Sequence, residues 1–448
     1  MCFGTLLLLA FFVLPVVSHA ATVSRYWIAG PGNWDDTAHW SLTTGGVAGA
    51  SAPVAGQEAH FDRFSGGGTV TLNAAVDVSG LHLSSAYTGT LLQTSNEITV
   101  GTGHLMIGSG RILGGTSTLS LSGSYTQTGG IVMLQRAFSL SGSLSVTNPG
   151  SASPSTSFTT TGSTIFEGKA DQNVTKGSST TLRFGAVTIN NTGAGTSDDI
   201  VVNSSGALTM SGHLTVTLGN LDLQTRNIAL AVGSGITIAD AAQATMVTDA
   251  NITASGHIAV HGAGTLTLSG TMTLTLDGRT QNLDTNAANI PTLVIASPSS
   301  TTLQRNEIVS TTLQVDAGAT LSLGVYGLSA TSSTITNLGT INENTGHIYH
   351  TATTVLLTDN AYAEDNSFVF GDLVYVTLTD SDENIDGTSA DTVSVNIGTG
   401  PDTETVVLVE TTVSSGIFRN SIPTAYKDQN VMTTGRAGSM EKPLEGAN

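Results

Sequence analysis

The chain has 448 residues, of which 14 are Lys or Arg and 33 are Asp or Glu, giving a formal net charge of −19. A surface of that sign repels phosphate backbones and anionic headgroups, which argues against nucleic-acid and direct membrane binding and makes cations the favoured ionic partners. The single cysteine, Cys2, sits in a leader-like segment, so the remainder has neither disulfides nor thiolate chemistry to draw on.

Residues 1–20 read as a signal peptide. The apolar run "TLLLLAFFVLPVV" (5–17) has signal-peptide length and is too short to span a bilayer, and "SHA" (18–20) puts small residues where a signal peptidase reads. The expected mature chain starts at Ala21 and is secreted. No Lys or Arg precedes the apolar run, so the start codon is expected further upstream. No later charge-free apolar run is long enough for a transmembrane helix, so the exported protein is expected to be released or held at the cell surface by other means.

Residues 21–64 contain all three tryptophans, Trp27, Trp34 and Trp40, within "YWIAGPGNWDDTAHWS" (26–41). Two readings are open. In one, the indoles cap the exposed end of a repetitive β-body, their N–H groups bonded to nearby carbonyls. In the other they form a stacking platform for sugar rings.

From residue 65 to 345 one kind of phrase recurs, as in "GTSTLSLSGSYTQTGG" (115–130) and "AGTLTLSGTMTLTLDG" (263–278): an aliphatic residue alternates with Thr or Ser, punctuated by Gly, Asn and Asp. Period-two alternation predicts short strands with one face buried and one wet. So long a run of such phrases, undivided by linkers, exceeds one sandwich and favours a parallel β-solenoid that grows by adding coils. At roughly 20–25 residues per coil and about 4.8 Å per rise, the rod is expected to be on the order of 60–75 Å long. A longer duplication is also suggested, with "FEGKADQNV…" (166–212) matching "LDGRTQNL…" (276–324) through an acidic-Gly-basic tripeptide followed by Gln-Asn.

The tryptophan stretch, with Phe61-Asp62 after it, resembles the opening motif of large secreted bacterial surface proteins with right-handed β-helical, adhesin-like bodies. "FEGKADQNV", "FGAVTINNTG" and "LTVTLGNLDLQTRNIALAVG" are similar to the repeats of those bodies. The resemblance covers residues 26–345 and implies architecture more than a reaction.

Charge then shifts. Residues 351–425 carry twelve acidic residues and one basic one, Arg419, which marks a boundary near His350. The segment 346–425 alternates strands with turns in the pattern of an antiparallel immunoglobulin-like sandwich. It resembles modules of bacterial and archaeal surface and S-layer-type proteins through residues 374–382, 403–411 and 416–422, but the later strands of such a module are absent, so the sandwich is expected to be partial. Residues 426–448 read as a disordered tail. In "DSDENIDG", Asp380, Asp382, Asn384 and Asp386 offer hard oxygen ligands at alternate positions before Gly387, and Asp391 follows; Ca²⁺ is the expected ion. The twelfth position of an EF-hand loop falls on Val393 and no helices flank it, so this is not an EF-hand. A solvated acidic turn is the competing reading.

Catalytic candidates are few. Asp198-Asp199, Asp240 and Asp249 read as turn residues. His257 and His261 are too far apart along a strand to chelate one metal, and His347 and His350 read as junction packing. The sequence therefore predicts an all-β chain, a parallel β-solenoid followed by a partial antiparallel immunoglobulin-like sandwich. Its expected function is that of a non-enzymatic extracellular structural or adhesive protein, with surface glycans or other surface proteins as partners. The alternative is a carbohydrate-binding or polysaccharide-degrading β-helix.

Overall fold

The computed structural model describes residues 23–148, 156–193, 199–204, 206–224, 229–330, 333–349, 354–365, 373–381, 383–399, 402–426 and 440–442. The expected signal peptide, Asp198, His350, Asp382 and most of the tail lie outside them.

The chain is nearly all β, a parallel solenoid of about 12 turns followed by an antiparallel sheet, as the sequence predicted. Each coil supplies three short strands to three faces. Gln57–Phe61, Gly80–Leu83, Leu105–Ile107 and Tyr125–Gln127 stack in parallel on the first face; Thr69–Leu72, Thr90–Gln93 and Arg111–Leu113 on the second; Val76–Val78, Ile98–Val100 and Leu119–Leu121 on the third. Alternation decides which side chains go in. Leu119 and Leu121 are buried while Ser120 between them is half exposed, and the in-register partners Ile98 and Phe138 continue the buried column above and below. One apolar core runs without a break from Trp27 to Ile348. Each coil thus gains its burial from its neighbours, at roughly 1.5–3 kcal/mol for each large aliphatic side chain withdrawn from water.

Coil length varies more than expected. Tyr125 pairs with Leu144 and Leu144 with Val174, so successive coils take 19 and 30 residues. Corners absorb the extra residues and the strands stay in register. With about 12 turns at roughly 4.8 Å each, the rod is about 58 Å long, just under the expected range.

The suggested duplication resolves into a shared corner. Gln172 and Gln281 are both fully buried. Gln172 Oε1 accepts from Gly168 N (3.1 Å) and its Nε2 donates to Leu140 O and Gly142 O of the preceding coil (3.0 and 2.7 Å). Gln281 does the same with Gly278 N (2.8 Å), Ala254 O (2.7 Å) and Gly256 O (2.8 Å). Such amides satisfy corner backbone groups that no ladder reaches. Yet Gln172 opens a first-face strand and Gln281 a third-face strand, so the two segments do not superpose as stacked repeats.

A solenoid end leaves an unpaired strand edge, which invites pairing with another chain. Here one strand of the coil at each end is met by a short antiparallel segment. Val23–Trp27 pairs in parallel with Gln57–Phe61 and, on its outer side, antiparallel with Trp40–Ser41, in register Tyr26 to Ser41 and Trp27 to Trp40. At the other end Thr340–Asn342 is met by the acidic loop: Ile341 N donates to Ile385 O (2.7 Å), Gly387 N donates to Gly339 O (2.6 Å), and Asp386 lies antiparallel to Thr340.

The antiparallel unit has the strand order Thr354–Thr358, Leu373–Thr379, Ile417–Tyr426, Asp402–Glu410, Thr392–Thr399. It is one curled sheet that folds over its own small core of Val374, Val376, Leu378, Leu408, Phe418 and neighbours. Met440–Lys442, within the segment read as a disordered tail, forms a short strand parallel to residues 424–426.

Candidate functional site

The tryptophans are interior. Trp27, Trp34 and Trp40 are 0%, 2% and 0% exposed. Trp27 Nε1 donates to Gly30 O (2.8 Å) and Trp40 Nε1 to Trp34 O (2.6 Å), which satisfies two buried donors inside the turn that connects them. Their faces are taken: Trp27 stacks on His39 at 4.6 Å, and Trp40 stands edge-on to Trp27 and Trp34 at 5.2 and 4.9 Å. In this arrangement no indole face is open to a sugar ring, because the same contacts that close the core end cover the rings. The stacking platform is therefore corrected at all three positions.

Sequence reasoning missed what lies on the outside of these coils. Strand alternation sends the neighbours of the buried residues outward, and parallel register stacks them into a ladder: Tyr26 beside His60, His60 beside His82, His82 beside Met106, Met106 beside Thr126. Tyr26 stacks on His60 with centroids 4.9 Å apart, and His60 and His82 are 4.7 Å apart and tilted by 54°. His60 Nε2 is 3.2 Å from Glu58 Oε2, and His82 Nε2 is 3.2 Å from Gly103 O. Burial, and then the adjacent His82, push the His60 pKa below its ordinary 6.5. The ladder floors a groove of about 590 Å³ that Thr44, Asp62, Ser84, Ser85 and Thr128 also line, with the Thr44 hydroxyl bonded to Asp62. Two histidines 22 residues apart, one coil's worth, were the available signal.

The acidic loop is engaged in holding itself and the last coil. The Asp386 carboxylate accepts from Ser389 Oγ (2.6 Å), Thr388 Oγ1 (2.6 Å) and Thr388 N (2.9 Å), and these bonds hold its pKa down to about 2. Asp391 Oδ2 accepts from Asp386 N (2.9 Å). Asp380 and Asn384 are buried, and Asn384 O accepts from Asn337 Nδ2 of the solenoid (2.7 Å). Glu383 is brought in as well: burial first, then the charges of Asp380, Glu343 and Asp391, push its pKa up. Among the described residues, no three His, Cys, Asp or Glu side chains form a group that could hold a metal ion.

The remaining candidates do not converge. Asp240 Oδ1 accepts from Ala263 N (2.7 Å) and His257 Nδ1 from Asn282 N (2.8 Å), corner bonds between coils. His347 stands 3.8 Å from Glu343. Asp199 begins the strand Asp199–Ser204.

One further carboxylate is fully interior. Glu307 accepts from Thr285 N (2.9 Å) and is hydrogen-bonded to its hydroxyl, while burial pushes its pKa up to about 7 against the bonds from Thr285. The unfolded chain ionises this group near 4.5, so between there and about pH 7 the unfolded state releases a proton that the folded state keeps, and stability falls as pH rises through that window. Glu307→Gln, which mimics the protonated acid, is expected to abolish this component. Melting of the wild type should weaken from pH 4.5 to 8 by roughly 3 kcal/mol more than that of the variant; parallel pH profiles would contradict it.

Comparison with protein-family models, with curated proteins and with solved structures gave no match. The adhesin-like and surface-module resemblances rest on their motifs alone. Among the described residues no helix is long and apolar enough to cross a membrane.

Proposed function

We propose that the chain is a non-enzymatic structural or adhesive protein of the cell exterior, a β-helical stalk followed by an antiparallel module. One observation carries the reading: a single core extends through all the coils, and an antiparallel segment meets one strand of the coil at each end. This geometry stiffens a rod and discourages end-to-end pairing while it leaves long hydroxyl-rich side faces free for lateral contact. The net charge of −19 keeps such rods apart in solution. Beads coated with the full chain are expected to adhere to cell-surface preparations or polysaccharide-coated plates better than albumin-coated beads do. Equal adhesion of the two overturns the reading, and release of sugar from the plates would favour the polysaccharide-degrading alternative.

Calcium binding at the acidic loop is proposed on two supports. The charges of Asp380, Glu343 and Asp391 each add to the upward push on the Glu383 pKa, and among the described residues buried Asn384 Oδ1 accepts no hydrogen bond. A hard cation would relieve both. Millimolar calcium should raise the melting temperature of the antiparallel unit; identical melts in calcium and in chelator would remove the ion from the account.

A further inference from the structure

We propose that the groove over the first coils binds a neutral, linear polysaccharide running along the rod axis. The inference names the ligand class of the adhesive reading and in that sense rests on it.

The shape of the groove sets the first constraint. It crosses successive coils on one face, and its floor repeats once per rung: Tyr26, His60, His82, Met106, Thr126. Ring centroids lie 4.9 and 4.7 Å apart. Such a floor suits a linear polymer with a repeating unit of similar length, laid along the axis, better than a compact small molecule.

Chemistry sets the second. Among the described residues no Lys or Arg lines the groove, and Asp62 does, so a polyanion finds no countercharge there and meets a chain whose net charge is −19. What the lining offers instead is a row of ring edges, since Tyr26 and His60 stack on one another, together with the 45% exposed Met106, bordered by the hydroxyls of Ser84, Ser85, Thr126 and Thr128. His60 Nε2 is occupied by Glu58 and His82 Nε2 by Gly103 O, so in the neutral rings each Nδ1 is an acceptor. Carbon surface alternating with hydroxyl-sized donors and acceptors matches a neutral glycan, whose rings carry C–H patches and equatorial hydroxyls.

The test uses the full chain and neutral hexasaccharides of glucose, mannose, xylose and galactose, with oligogalacturonate as the anionic probe, read by calorimetry. Wild type is expected to bind at least one neutral hexasaccharide and to bind it more tightly than oligogalacturonate. His82→Ala and Met106→Asp, both outward-facing, should each weaken that binding by about tenfold or more at an unchanged melting temperature. Absence of binding to every neutral probe, preference for the anionic one, or binding untouched by both folded variants overturns the proposal. Bead adhesion separates the two readings: wild-type beads that adhere as strongly as His82→Ala beads leave the adhesive reading standing and remove the groove from it. Hexasaccharide binding without bead adhesion supports the groove and removes the adhesive role.

Discussion

Trp40→Ala is expected to open the N-terminal end of the rod. The residue is fully buried, stands edge-on to Trp27 and Trp34, and packs against Phe61 at 5.9 Å. Truncating a buried aromatic of this size costs about 3–5 kcal/mol. Loss of its Nε1–H also leaves Trp34 O, inside the same turn, without its donor. Because coils interact chiefly with their neighbours, the loss falls on the first coils and not on the whole rod. A new low-temperature transition should appear, dye binding to apolar surface should rise, and the uncovered Val23–Trp27 edge should drive self-association. A monomeric variant with an unchanged melt would mean that the indoles do not close the end. Glycan binding lost in such a variant would return them to the role of a platform.

Gly387→Ala is expected to open the opposite end. A Cβ at Gly387 would meet Leu338 C at 2.5 Å and Gly339 N and O at 2.8 Å, all backbone atoms of the last coil, which no rotamer change relieves. The loop must withdraw, breaking the Ile341–Ile385 and Gly387–Gly339 bonds and the Asn337–Asn384 contact. Each neutral hydrogen bond is worth about 1 kcal/mol net, so the rod itself survives. The freed Thr340–Asn342 strand becomes a parallel-sheet edge without a partner. Light scattering should show concentration-dependent oligomers in the variant and none in the wild type. A variant that stays monomeric, with Ile341 still protected from exchange, would contradict this.

Much of the fold was legible because alternation is a local property. "LSL" at 119–121 or "LTM" at 208–210 announces which side chain goes inward wherever the strand ends up. Neighbourhood across coils was not legible, because corners vary and coils of 19 and 30 residues follow one another. No single period aligns Tyr26, His60, His82 and Met106, so the outward ladder and its groove escaped notice. Variable corners also made the match at Gln172 and Gln281 look like a duplication when it is one corner device used on two faces. At residues 380–391 the carboxylates drew attention to an ion. An open edge is as much a problem at Thr340–Asn342 as at the tryptophan end, and the loop's backbone answers it with Asp386 and Gly387.

The central claim is that one strand edge at each end of the solenoid is covered by the chain's own antiparallel segments. Amide hydrogen exchange in the full chain tests it at three donors: Ile28 N, bonded to His39 O at 2.8 Å, Ile341 N and Gly387 N. The account predicts protection at all three comparable to that of interior strands such as Leu119–Leu121. Exchange at these amides as fast as in exposed corners would mean that these edges are open and that the central claim is wrong.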